Sequence, residues 1–190
     1  EEIARAFLAT PRAIAQRIVR AKAKIRDEKI PYVVPDKSDL GTRLMTVLHT
    51  IYLVFNEGYA ASSGPSIVRA DLSGEAIRLG RVLATLLPDT EVIGLLALML
   101  LHESRRRART SADGDIILLP DQDRGLWDHE LIDEGARLAR QALAASSIGP
   151  FSTQAGIALA HAEGASAEAT DWHAIVAHYD TLMNTDPSPV

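Results

Sequence analysis

The stretch VIGLLALMLL, Val92–Leu101, is the longest strongly apolar run of the chain and is broken only by Gly94. A helix that crosses a bilayer needs roughly 20 such residues, about twice the length of this run. No amino-terminal segment has the pattern of a signal peptide. The run therefore predicts part of a helix, at about residues 90–107, in a soluble globule with no membrane partner.

Composition sets broad limits on the class of protein. The chain has 190 residues, of which 47% are hydrophobic, enough for a substantial core in one or two domains. It has no cysteine, which excludes disulfides, thiolate metal sites and cysteine catalysis. The absence of cysteine fits a reducing compartment, so a cytoplasmic location is expected.

Positive charge is concentrated at the amino-terminal end of a chain whose net charge is −5. Residues 1–30 carry eight Lys or Arg and four acids, a balance of +4, which leaves −9 for the other 160 residues. Six of the eight basic side chains lie between residues 12 and 26. Such a change of sign along a chain suggests that one end contacts a polyanion.

The basic segment is predicted to be a helix over about residues 11–29. Thr10 and Pro11 are typical of a helix start, because threonine caps backbone N–H groups and proline fits the first helical position. An apolar stripe at helical spacing consists of Ile14, Ile18, Ala21 and Ile25. A shorter helix ahead of it offers Ile3 and Phe7 to that stripe, so residues 1–30 are predicted to form a helix-turn-helix.

The remaining sequence predicts more helices. Residues 31–37 contain two prolines and are expected to form a linker before a helical domain at 38–190. Helices are predicted at about 38–56, 70–87, 90–107, 122–145, 150–163 and 170–185. Asp113-Gly114 could turn one short β-hairpin near residues 107–119. The fold class is therefore all-α, a partial helix-turn-helix followed by a multi-helix bundle or a TPR-like array of helical hairpins.

The first 26 residues resemble the promoter-reading half of region 4 in bacterial sigma factors, especially the extracytoplasmic-function group. The resemblance is carried by Glu2-Ile3-Ala4, Thr10, Arg17 and Arg20-Ala21-Lys22, whereas Leu8 stands where many members have a turn glycine. Four later stretches resemble the long helical carboxy-terminal extension of one subgroup: FNEGYAASSG, GLLALMLLHESRRRAR, DQDRGLWD and DWHAIVAHYDTL. The likeness thus covers nearly the full length.

The resemblance implies that the basic helix binds the −35 promoter element and that the RNA polymerase core is a second partner. It also implies that this chain is a fragment of a longer protein. The complete protein is expected to have region 2 and the opening helices of region 4 before residue 1, and further helices after residue 190. Helix geometry makes Arg12 and Gln16 the candidates for base edges, and Arg17, Arg20, Lys22 and Lys24 the candidates for phosphates. The extension is expected to regulate this region through an intramolecular contact or by binding polymerase.

Two polar groups in the extension are candidate sites. Asn56, Glu57 and Tyr59 form either a polar site or, in the favoured interpretation, helix caps and loop contacts in which Gly58 supplies a positive φ. In HESRRRAR and DQDRGLWD, Arg105, Arg106 and Arg107 are expected to pair with Asp121 and Asp123, near Arg124 and with Trp127 as an anchor. Such ion pairs more often fix packing than form a pocket.

No catalytic constellation, metal site or cofactor site is predicted. His102-Glu103 lacks the second histidine of a zinc-protease helix, and no phosphate-binding glycine loop is present. Two alternative functions stay open. One is a TetR-like one-component regulator with a helical ligand domain. The other is a helical small-molecule sensor or enzyme that uses Glu57, Asp121, Asp123 and Arg105. A protein-interaction scaffold is an intermediate alternative.

Overall fold

The computed structural model describes residues 2–31, 37–60, 69–111 and 113–185. Within them the fold is all-α, as predicted, and no strand occurs in these ranges. The helices are α1 (Glu2–Ala6), α2 (Pro11–Asp27), α3 (Lys37–Tyr59), α4 (Ala70–Leu86), α5 (Thr90–Glu103), α6 (His129–Leu143), α7 (Pro150–Glu163) and α8 (Trp172–Thr185). The predicted linker lies mostly outside the described residues.

The apolar run Val92–Leu101 forms the centre of the molecule. Every residue from Val92 to Leu101 is buried, because α5 packs against α3, α4, α6 and α7 at once. A helix that is apolar on all sides needs such surroundings to remove it from water. α8 packs on the outside of α7 and completes the bundle.

Several predicted helix boundaries were wrong by a turn or more. α5 ends at Glu103 rather than near residue 107, and a short 3-10 turn, Arg106–Ala108, follows. The helix expected at 122–145 begins only at His129, where the Asp128 carboxylate accepts the Leu131 N–H at 3.1 Å. Before it, the chain makes two more 3-10 turns, Leu119–Asp121 and Arg124–Leu126.

The possible β-hairpin near residues 107–119 is a loop closed by one antiparallel bridge between Thr110 and Ile116. Gly114 at its tip has a φ of 89°, the left-handed conformation that favours glycine. The Asp-Gly turn was therefore correct. Strands do not form in the described part of this loop, since the pairing does not extend beyond a single bridge.

At the amino-terminal end α1 packs on α2, and α1 also contacts α3. Ala4 and Ile14 are the buried residues of this pair. The predicted apolar stripe is otherwise largely open, with exposed fractions of 40% for Ile18 and 53% for Ile25. Ile3 and Phe7 are likewise more than half exposed. The reason is length, because the five residues of α1 cover little more than one turn of α2.

Candidate functional sites

The basic helix α2 begins where the sequence predicted. The Thr10 side chain accepts the Ala13 N–H at 3.2 Å, with Thr10 in an extended conformation and Pro11 as the first helical residue. Leu8, in the turn before it, has a φ of 48° and is 93% exposed. Many members of the sigma-factor group that the segment resembles have a glycine here, and a left-handed backbone is the conformation that favours glycine.

All six side chains predicted to bind DNA are exposed: Arg12, Gln16, Arg17, Arg20, Lys22 and Lys24. Helical spacing places Arg12, Gln16 and Arg20 on the side of α2 opposite the buried Ile14. These three residues line one shallow concavity together with Ala15 and Val19. We call the surface formed by Arg12, Gln16 and Arg20 the basic face.

Most of the positive charge of α2 is not neutralised by a neighbouring carboxylate. Near its end, Lys24 lies 4.0 Å from Glu28, and Arg26 lies 2.9 Å from Asp27. Among the described residues, no acid lies within 4.0 Å of the side-chain nitrogens of Arg12, Arg17, Arg20 or Lys22. The first three turns of α2 thus present their charge to solvent.

A second polar group lies at the end of α5, where three arginines meet aromatic rings. We call Arg105, Arg109 and Arg124 the arginine cluster. The Arg109 guanidinium carbon lies 3.6 Å from the centre of the Tyr59 ring, and Arg109 donates to the Tyr59 carbonyl at 2.5 Å. Stacking and hydrogen bonding together fix Arg109 at the end of α3.

Arg124 attaches the third 3-10 turn to the end of α7. It donates to the carbonyls of His161 and Gly164, at 2.9 and 2.7 Å. Its guanidinium carbon also lies 4.4 Å from the centre of the Trp127 ring. Trp127 is buried, as predicted for an anchor, and its indole N–H has no hydrogen-bond acceptor in the described part of the chain.

Arg105 is the most buried member of the cluster, with 9% of its surface exposed. Its Nη2 donates to Nδ1 of His102 at 2.6 Å, and its side chain is also hydrogen-bonded to Tyr59. Burial lowers the pKa of Arg105, and the nearby charges of Arg109 and Arg124 lower it further. Burial also lowers the pKa of His102 to about 3, again with help from the two nearest arginines. His102 is therefore neutral at pH 7 and accepts from Arg105.

The predicted ion pairs of this region were wrong. Arg106 pairs at 2.6 Å with Glu103 of its own segment, and burial raises the pKa of Glu103. Asp121 and Asp123 are exposed, and the Asp123 carboxylate instead accepts the Gly125 N–H. No described ion pair joins either aspartate to an arginine. The folded chain instead pairs Arg106 with Glu103 and satisfies Arg105 with His102 and Tyr59.

The predictions for residues 56–59 were partly wrong as well. α3 continues through Tyr59, so Asn56 and Glu57 do not cap its end, and Asn56 is hydrogen-bonded to Tyr52. Gly58 has helical backbone within α3, and a Cβ there would lie 2.3 Å from the Ser73 nitrogen. Its role is close packing of α3 on α4 rather than a positive φ. The loop after residue 60 lies outside the described residues.

A cavity of about 560 Å³ lies between α5, α7 and α8. Its polar lining comes from His102, Arg105, Gln154, His161 and Tyr179. Sequence reasoning named Arg105 but missed His102 and His161, because a lone histidine gives no signal until its neighbours are known. The acids Glu57, Asp121 and Asp123, which a sensor or enzyme was expected to gather in a cleft, do not line this cavity.

Comparisons with known proteins give the family. Residues 43–143, from α3 to the end of α6, match DUF6596, described as a family of unknown function. The chain belongs to this family. It is also 48% identical over all 190 residues to an uncharacterized protein of Rhizobium meliloti (strain 1021), and it spans 45% of the length of that relative. No solved structure matches the chain.

Two further properties concern the described residues only. None of their helices is long and apolar enough to cross a membrane. They also contain no group of three or more histidine, aspartate or glutamate side chains that could hold a metal ion.

Proposed function

We propose that this chain takes part in transcription initiation as part of a sigma factor, with α1 and α2 binding the −35 promoter element and α3–α8 regulating that binding. The observation that carries the proposal is the basic face. Arg12, Gln16 and Arg20 are exposed on one side of a capped helix and lack carboxylate neighbours among the described residues. A recognition helix in the major groove needs this arrangement.

The chemistry of the side chains supports separate roles along α2. Arginine can donate two hydrogen bonds to guanine and glutamine can pair with adenine, so Arg12 and Gln16 at the amino-terminal end suit base edges. Arg17, Arg20, Lys22 and Lys24 suit phosphates, where each contact adds affinity that falls with salt. The acidic remainder of the chain would be repelled by the duplex, which orients α2 toward it.

The contact between α1 and α3 supports a regulatory role for the helical extension. A body attached to the helix-turn-helix through this contact can change how often the basic face is available, as a shift between two populated arrangements. RNA polymerase is the expected protein partner. Comparing transcription by the full-length protein with and without residues 36 onward tests this part, and identical output and polymerase affinity would remove the regulatory role.

A salt-titrated binding assay on promoter duplexes, with shuffled duplexes as competitors, tests DNA binding. Arg12→Gln and Gln16→Ala should reduce the preference for the promoter sequence by about 1–3 kcal/mol each. Arg20→Gln should weaken binding to every duplex and reduce the salt slope by about 1. Arg26→Gln, which removes an arginine paired with Asp27 from the same helix, is the matched control. Equal effects of all four substitutions, or no binding at low salt, would reject the proposal.

The alternative of a ligand-binding regulator or sensor is favoured by one observation, the cavity of about 560 Å³ between α5, α7 and α8. Its volume is within the range of small-molecule sites. A TetR-like protein would also be a dimer, which sedimentation of the full chain would reveal.

A further inference from the structure

The arginine cluster has no direct ion pair among the described residues. Among the described residues, no carboxylate lies within 4.0 Å of the guanidinium nitrogens of Arg105, Arg109 or Arg124. Buried cations are normally paired with an anion, because removing a charge from water is costly. The structure satisfies these arginines with neutral acceptors. The charges of Glu103 and Glu168 act on Arg109 and Arg124 only at longer range, and neither carboxylate forms an ion pair with Arg105.

Arg105 brings this charge to the cavity. It is nine-tenths buried and lines the cavity with His102, and its contacts to His102 and Tyr59 are both to uncharged side chains. Arg109 is held by Tyr59, and Arg124 by the carbonyls of His161 and Gly164. The other two arginines are therefore committed to the protein, and Arg105 is the one placed to meet a ligand.

The apolar part of the lining belongs mainly to the helices that enclose the cavity. Leu98 comes from α5, Ile157 from α7, and Leu182 and Met183 from α8. Tyr179 and Met183 are more than half exposed, so α8 forms the mouth of the cavity while Arg105 and Leu98 lie at its inner end. A cationic group beside a few polar and several apolar side chains is typical of sites for small amphipathic acids.

We propose that this cavity binds a small organic anion with an apolar body, whose carboxylate or phosphate pairs with Arg105 while the apolar part packs between α7 and α8. A guanidinium can hold either acid through two parallel hydrogen bonds. Gln154 and His161 supply further polar contacts beside it. The site is separate from the basic face, so its test does not depend on DNA binding.

Calorimetric titration of the full chain with octanoate and, in a second arm, octyl phosphate tests the site, with octanol and octanamide as uncharged analogues. We expect at least one anion to bind with a Kd below about 1 mM and at least about tenfold more tightly than either uncharged analogue. The arm that binds more tightly identifies the acid group.

Two substitutions of Arg105 assign the binding to this residue, and two further variants serve as controls. Arg105→Gln should weaken binding of the anion by at least about tenfold. Arg105→Lys should weaken it by less, because the charge remains. Arg107→Gln is the matched control, since Arg107 is exposed on the same segment and does not line the cavity. Met183→Glu places a negative charge at the exposed mouth of the cavity without disturbing the core. It should weaken binding of the anion, and it tests the site even if Arg105→Gln fails to fold.

The proposal is overturned if neither anion binds, if octanol binds as tightly as the anions, or if folded Arg105→Gln and Met183→Glu both bind like the wild type. Binding of an acidic peptide without either octyl anion would also overturn it, because the cavity would then be a protein-docking surface.

Discussion

Gly94 of α5 lies directly against Ser152 of α7, so close that a Cβ on Gly94 would be 2.6 Å from the Ser152 backbone nitrogen. The contact lets the two helices approach at their most buried point. It explains why the apolar run contains one glycine, since the backbone of Ser152 as well as its hydroxyl occupies the space.

Gly94→Ala should therefore lower the free energy of unfolding by about 1–3 kcal/mol through overpacking, despite the better helix propensity of alanine. Gly74→Ala is the matched control, because Gly74 is an exposed helical glycine of α4 with no atom within 4 Å of an added Cβ. Gly74→Ala should raise the free energy of unfolding by about 0.5–1 kcal/mol. Urea unfolding of the two variants measures both effects, and equal stabilisation would contradict the tight contact.

Glu91 caps α7 from the neighbouring helix α5. Its carboxylate accepts the N–H groups of Gly149, Phe151 and Ser152 at 3.1, 2.8 and 3.1 Å, and also the Ser152 hydroxyl. Glu91→Gln keeps the shape but removes the charge and one acceptor, so it should destabilise the protein by about 1–3 kcal/mol. Thermal unfolding measures this, and Glu75→Gln, at an exposed pair with Arg78, should leave Tm nearly unchanged. A Glu91→Gln variant as stable as Glu75→Gln would show that the cap contributes little.

Leu8 carries a left-handed backbone that a leucine side chain adopts at a cost. Leu8→Gly should relieve this and stabilise the helix-turn-helix by about 1 kcal/mol, since the side chain is almost fully exposed and loses no packing. Ala9→Gly, one residue on and without a positive φ, should destabilise instead. Hydrogen exchange of the Ile14 and Ile18 amides reports the local stability of α2. Slower exchange in both variants, or in neither, would argue against strain at Leu8.

His102 should make stability depend on pH. Its pKa is lowered from 6.5 to about 3 in the folded chain, so the unfolded chain binds a proton that the folded chain does not. Stability is therefore fully present above pH 6.5 and is lost as the pH falls toward 3, by up to about 1.4 kcal/mol per pH unit. The groups that face His102 are Arg105, Arg109 and His161, and burial also lowers the pKa of His161.

His102→Asn keeps an acceptor for Arg105 but cannot be protonated, so the loss of stability between pH 6.5 and 3 should be smaller than in the wild type. His173→Asn, an exposed histidine of α8, is the control and should follow the wild type. Urea unfolding across this pH range measures the difference. Parallel profiles for wild type and His102→Asn would mean that His102 is not buried in its neutral form.

Local signals in the sequence determined the all-α class, the start of α2 at Thr10 and Pro11, the Asp-Gly turn and the exposed basic side chains, because each depends on residues a few positions apart. The family resemblance added roles for α2 that stay predictions. Tertiary structure decided the rest. It paired Arg105 with His102 and left Asp121 and Asp123 in solvent. It also left Ile18 and Ile25 of the predicted apolar stripe exposed. Helical periodicity tells which residues share a face, but which faces meet depends on how the described helices exclude water together.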